Sequence, residues 1–182
     1  QLRTPLTAIK GYASMILEGS YGKIPETAKG AVDKIFQSSQ RLVLIIGDFL
    51  DISHIEQGKM QYDFAPLDVK ELAKSLADEF KATIESSKEK SRALKISFEA
   101  DEKENFSINA DRNKIRQVIS NLIDNSIKYT PKGFLKISLS KVVASGNILL
   151  KIEDSGIGIS AETMSNLFKK FGRAKSLSSI YA

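Results

Sequence analysis

Two short stretches of the chain hold side chains whose types and spacing suit chemistry. Between Asp111 and Tyr129, the residues Asn121, Asn125, Lys128 and Tyr129 stand at i, i+4, i+7 and i+8. On a helix, that spacing puts two amides, an amine and a phenol on one face. Asparagine is a poor helix former, and two of them one turn apart cost about half a kcal/mol each relative to alanine. A role in binding would offset that cost. An amide oxygen is a hard, neutral ligand suited to Mg²⁺, an ion that keeps most of its waters and leans on substrate phosphates, while a lysine one turn away balances phosphate charge. A solvated polar helix face has the same pattern, and spacing alone does not separate the two.

The second stretch is Glu153-Asp154-Ser155-Gly156-Ile157-Gly158-Ile159, in which an apolar run leads directly into a glycine-spaced turn. Glycine there lets the backbone approach a flat ligand or adopt positive φ, and Asp154 offers a carboxylate that can accept from an exocyclic amine such as that of adenine. Alone, a strand followed by a glycine turn is often only a turn. Placed after the asparagine-bearing helix with a hairpin between them, it becomes a much stronger signal.

The elements that must position these groups are legible as periodicities. Leu2, Leu6, Ile9, Ala13 and Ile16 predict one helix; Gly19, Gly22 and Pro25 break it. Ala28, Ile35, Leu42, Ile45, Phe49, Ile52 and Ile55 then predict a second helix of roughly thirty residues ending near Gly58. Two antiparallel helices cannot enclose that stripe, which predicts a twofold dimer with a four-helix bundle, the alternative being a hairpin packed on the rest of its own chain. Phe64 to Asp68 reads as a connection, with Asp68 capping a helix that runs to about Lys90. Leu94 to Ala100 alternates as a half-buried strand, Phe106 to Asn109 as a short one, and Leu135 to Ser140 with Ile148 to Glu153 as a hairpin around Ala144 to Asn147. The helix from Asp111 to Tyr129 is expected to bury Ile115, Val118, Ile119 and Leu122. The fold class is therefore α+β: a helical hairpin over residues 1–62, then a sandwich over residues 63–182 with helices on one face of a mixed or antiparallel sheet.

Composition narrows the function classes. The 182 residues include no cysteine, which excludes disulfide frameworks, zinc knuckles and thiol nucleophiles. The net charge is +5, but basic residues are interleaved with acids, which argues against nucleic acid as a partner. No run approaches the about 20 apolar residues of a membrane-spanning helix.

Asn121-Leu-Ile-Asp-Asn125-Ser-Ile-Lys128-Tyr129-Thr130, Asp154-Ser-Gly156-Ile-Gly158-Ile159 and Phe168-Lys-Lys-Phe171 resemble, in order and spacing, the N box, first glycine box and F box of sensor histidine kinases. Gln1 to Thr7 is similar to the family's H box just after its phosphoaccepting histidine, and Phe49 to Met60 to the end of its second dimerisation helix. The resemblance spans nearly the whole chain. It implies a dimerisation and histidine-phosphotransfer domain followed by an ATP-binding sandwich of the GHKL type. It also implies ATP and Mg²⁺ as cofactors, and a second copy and the receiver domain of a response regulator as partners. The chain would be a cytoplasmic portion, its parent reaching the inner membrane only through upstream segments.

By the same resemblance, Asn125 would hold Mg²⁺, and Asn121 and Lys128 would contact the phosphate or metal side. Tyr129 would line the pocket, and Asp154, Gly156, Gly158 and Ile159 would form the adenine end. Phe168 and Phe171 would anchor a mobile lid, with Arg173 reaching toward the phosphates. Gln1 stands where many relatives carry an acid that assists proton removal, and Thr4 where they position a water for dephosphorylating the regulator. The acceptor histidine would immediately precede Gln1, His54 being the one histidine present. The second glycine box is not found before Ala182, so this stretch of chain is expected not to autophosphorylate. GHKL hydrolases carry a glutamate as general base where this helix has Asn121, and a neutral amide cannot take a proton from water near pH 7. A GHKL ATPase and a silent docking module are the alternatives.

Overall fold

The computed structural model describes residues 3–86 and 93–167, and the chain divides into two compact units, Gln1–Gln61 and Tyr62–Ala182. In the first, α1 (Arg3–Leu17) and α2 (Glu26–Glu56) pack as a hairpin. The chain leaves α1 through Gly19 at φ +85°, with the amide of Ser20 donating to the carbonyl of Met15 at 2.9 Å. That pairing closes a helix end where a left-handed residue follows the last turn. α2 ends the same way, at Gly58 with φ +64° and a 2.8 Å bond from Lys59 N to His54 O.

α2 carries two apolar stripes rather than the single one the periodicity suggested. Val32, Phe36, Ser39, Val43 and Ile46, at spacings of four, three, four and three, are its less exposed positions and face α1. Ser39 on α2 and Ala13 on α1 are both buried, and both are small. The predicted stripe faces outward: Ile35, Leu42, Ile45, Phe49, Ile52 and Ile55 are 38–57% exposed. A 31-residue helix has room for both sets.

The second unit runs β1 (Ala65–Asp68), α3 (Val69–Ser86), β2 (Leu94–Ala100), β3 (Ser107–Ala110), α4 (Arg112–Tyr129), β4 (Gly133–Lys141), β5 (Ile148–Asp154) and α5 (Ala161–Met164). The main sheet is mixed, in the order β2-β4-β5, with β2 parallel to β4 and β4 antiparallel to β5. A parallel pair needs a long crossover. Here β3 and α4 supply it, and α4 packs with α3 over the sheet. The core joins Leu135, Ile137 and Leu139 of β4 to Leu72 and Leu76 of α3, Ile119 and Ile123 of α4, and Phe106.

Two expectations need correction. Phe64 to Asp68 is not wholly a connection: Ala65–Asp68 pairs antiparallel with β3 in a separate two-stranded sheet. Pro66 is tolerated because this short strand is an edge. Asp68 still caps α3, accepting from Lys70 N at 2.8 Å and Glu71 N at 3.2 Å. α3 is described to Ser86, and the expected extension to Lys90 lies outside the described residues. On α4, Val118 and Leu122 are exposed, and the buried stripe is Ile119, Ile123, Ser126 and Ile127.

Asp111 fixes the start of α4. Its Oδ1 accepts from Asn113 N and Lys114 N at 2.9 and 3.1 Å, and its Oδ2 from Asp63 N at 3.1 Å. The carboxyl is held below the ordinary carboxylate range, first by the Asp63 amide and then by that of Lys114, while burial opposes them. A carboxylate depressed in the fold stabilises it above the unfolded pKa and loses that contribution as pH falls through the lower folded value. Acid titration followed by circular dichroism should show Tm falling below about pH 4 more steeply in the wild type than in Asp111→Asn. Parallel curves would show that this carboxylate is not linked to folding. Ile123→Ala should cost about 2–5 kcal/mol in urea unfolding, and Leu122→Ala within about 0.5 kcal/mol of nothing.

Candidate functional site

The end of β5 and the last turn of α4 meet at one carboxylate. Asp154 Oδ1 accepts from Gly156 N at 3.0 Å and from Thr130 Oγ1 at 3.4 Å, and Oδ2 accepts from Ser126 Oγ at 3.1 Å. Ile157 N donates to Tyr129 O at 3.3 Å, which ties the glycine turn to the helix end. Ser155 fastens the other side. Its Oγ accepts from Phe134 N at 2.9 Å, and its own amide donates to Phe134 O at 3.1 Å. Gly133 sits at φ +123°, where an added Cβ would lie 2.0 Å from Ser155 Oγ.

Gly156 is required by close approach rather than by its dihedral angle. A Cβ there would meet Tyr129 O at 2.5 Å, Thr130 Oγ1 at 2.7 Å and Asp154 Oδ1 at 2.9 Å. The close neighbour is thus the chain's own helix end. Gly158 is the opposite case, with φ +72° and open space around it. Ile157 and Ile159 are half exposed beside the turn.

Asn121, Asn125 and Lys128 are all exposed on α4, as the spacing predicts, and Tyr129 is half-buried. Lys128 Nζ lies 5.2 Å from the Tyr129 ring centroid, which holds the amine at the helix C-terminus by a cation–π contact. Asn125 offers a lone amide rather than a cage, and the described residues hold no group of three His, Cys, Asp or Glu able to hold a metal. One neutral protein ligand fits an ion whose other ligands are phosphates and water.

The remaining predicted residues are not brought to this place. Thr4 lies exposed in the first turn of α1, in the other unit, and His54 is exposed in the last turn of α2. Gln1, Phe168, Phe171 and Arg173 lie outside the described residues. The grooves of about 340 Å³ at Asn105, Lys141 and Asn147 and about 730 Å³ between α3 and β2 contain none of the site residues. Sequence reasoning missed Ser126, Thr130 and Ser155 as partners. The available signal was a serine on the buried stripe of α4, where an apolar residue would have sufficed.

A hairpin of two long helices is thus followed by a GHKL-type sandwich with an asparagine-bearing helix beside an Asp-x-Gly-x-Gly turn. The family of His Kinase A (phospho-acceptor) domains matches residues 1–58, and that of histidine kinase-, DNA gyrase B- and HSP90-like ATPases matches residues 110–180. The chain belongs to the sensor histidine kinases. It is 30% identical over 175 residues to the circadian input-output histidine kinase CikA of Synechococcus elongatus, covering 94% of this chain and 22% of that protein. It is 31% identical over 178 residues to the signal transduction histidine-protein kinase BarA of Escherichia coli, covering 96% and 18%. The chain thus spans about a fifth of the length of these relatives. The histidine kinase AdeS of Acinetobacter baumannii superposes with TM-score 0.62 at 29% identity, over 92% of this chain and 77% of that one. Full-length ShkA, solved with AMPPNP, shares the fold with TM-score 0.77 at 20% identity, over 94% and 35%.

Gly156→Ala should destabilise the second unit by about 1–3 kcal/mol, because the helix end and turn must move apart. Gly158→Ala should cost about 1 kcal/mol, from its backbone angle alone. Thermal unfolding of the two variants checks the order, and equal losses would contradict the close-approach account.

Proposed function

We propose that this chain is the core of a sensor kinase that binds ATP with Mg²⁺ and transfers the γ-phosphate to a histidine expected immediately before Gln1. The phosphate then passes to an aspartate of a response-regulator receiver domain. Residues 1–62 serve as the dimerisation and phosphotransfer domain and residues 63–182 as the ATP-binding domain. The outward stripe of α2 supports the dimer: six large apolar side chains at coiled-coil-like spacing fit a second copy of the hairpin as a four-helix bundle.

The observation that carries the reading is the carboxylate of Asp154, held at a strand end with its lone pairs ordered, beside the exposed amides of α4. In this reading Asp154 accepts from the adenine amine, and Gly156, Gly158 and Ile159 shape the turn under the base. Tyr129 lines the pocket. Asn121 and Lys128 contact the phosphate or metal side, and Asn125 holds Mg²⁺, which when bound would neutralise phosphate charge. Phe168, Phe171 and Arg173 contribute to nucleotide binding by the resemblance of the F-box stretch, Gln1 flanks the acceptor in sequence, and Thr4 positions water for dephosphorylation. Phosphoryl transfer draws most of its rate from positioning and charge neutralisation, and these residues supply both. Asn121 favours transfer over hydrolysis, since an amide offers no general base for water.

Calorimetric titration with Mg²⁺-ATP tests the reading. The wild type should bind with micromolar affinity, and Asp154→Asn should weaken binding at least tenfold, the scale of a lost hydrogen bond to a charged group. Unchanged affinity in Asp154→Asn would remove the adenine site from this place. Hydrolysis without a protein acceptor should be slow, and a fast ATPase rate would contradict the role given to Asn121.

A further inference from the structure

Ser126 is only 8% exposed, on the α4 stripe that otherwise carries Ile119, Ile123 and Ile127. A hydroxyl in that position needs a partner, and it has one in Asp154 Oδ2 at 3.1 Å. Because an ionised carboxylate can only accept, the serine proton is committed to it. Of the four or so lone-pair sites on a carboxylate, those used from within the fold are two on Oδ1, by Gly156 N and Thr130 Oγ1, and one on Oδ2, by Ser126. The site left over is therefore on Oδ2, and Ser126 is the donor that holds Oδ2 itself, adding to the hold that Gly156 N and Thr130 Oγ1 have on Oδ1.

We propose that Ser126 is a positioning residue for base selection: it fixes Asp154 as an oriented acceptor that takes an adenine amine and rejects guanine. This deepens the nucleotide-site reading above and rests on it. Adenine presents an N–H donor at its 6-position, whereas guanine presents a carbonyl oxygen there and a ring N–H next to it. A carboxylate locked toward the 6-position meets a donor in the first case and faces another acceptor in the second. Without Ser126, Oδ2 loses its donor from α4 and the carboxylate is held through Oδ1 alone, by the Gly156 amide and the longer Thr130 bond, so its terminal torsion, which is broad and roughly twofold, gains range. It can then reach the ring N–H of guanine.

The test is calorimetry of the whole chain with Mg²⁺-ATP and Mg²⁺-GTP for the wild type, Ser126→Ala, Asp154→Asn and the double variant. Alanine is the better helix former, so α4 is retained. Ser126→Ala should lower ATP affinity about tenfold and reduce the ATP-over-GTP preference about tenfold. On the Asp154→Asn background the same change should alter ATP affinity less than twofold, because the serine acts through the carboxylate. Equal losses for ATP and GTP, no loss, or the full Ser126→Ala effect persisting in the double variant would overturn the proposal while leaving the nucleotide site intact. A wild-type chain that binds neither nucleotide would overturn both readings.

Discussion

The second unit turns on a carboxylate placed where a helix and a strand both end. Asp154 terminates β5 next to the C-terminus of α4, and the carbonyls there make this an unfavourable place for a negative charge. The fold compensates with donors on both sides: the hydroxyls of Ser126 and Thr130 from the helix end, and the amide of Gly156 from the turn. The amide of Ile157 then takes up the carbonyl of Tyr129. Helix end and glycine turn are thereby fastened to each other through one acidic group. The geometry holds only if position 156 lacks a Cβ, which makes glycine a packing requirement.

The sheet delivers this meeting by its register. Leu135 stands opposite Asp154 in the antiparallel pair, so the end of β5 falls beside the start of β4, where Ser155 clasps Phe134. The parallel pairing of β2 with β4 forces a crossover, and α4 is that crossover's helix. Its apolar stripe joins the same buried core as Leu135, Ile137 and Leu139, which leaves Asn121, Asn125 and Lys128 turned to solvent. One rotational setting of one helix thus fixes both the core and the polar face. At the helix start, Asp111 does for Asp63 what Asp154 does for the turn, anchoring chain from elsewhere on a helix terminus.

Much of this was legible because it is periodic. The helical hairpin, the β4–β5 pair, the asparagine face and the Asp-Gly turn each repeat at 3.6 or 2 residues or carry a glycine at a forced position. The parts that escaped are those in which period is ambiguous. β1 has four residues including a proline, too few to alternate, and owes its existence to pairing with β3. α2 bears two stripes at similar spacing, and the one with its buried position at the small polar Ser39 is the less exposed, which hydrophobicity alone does not select. Val118 and Leu122 look like core from spacing, but stand exposed on the side of α4 that carries its amides. Ser126 was passed over because a serine on an apolar stripe reads as tolerated filler until its partner, 28 positions away, is known.

The central claim is that nucleotide binds at the junction of α4 and β5, organised by Asp154. The most direct measurement is a two-dimensional ¹H–¹⁵N NMR titration of the chain with Mg²⁺-ATP, following side-chain as well as backbone amides. The account predicts that the Asn121 and Asn125 side-chain amides and the Gly156 backbone amide shift together along one saturation curve. Shifts confined to the groove between α3 and β2, or none at millimolar nucleotide, would contradict it.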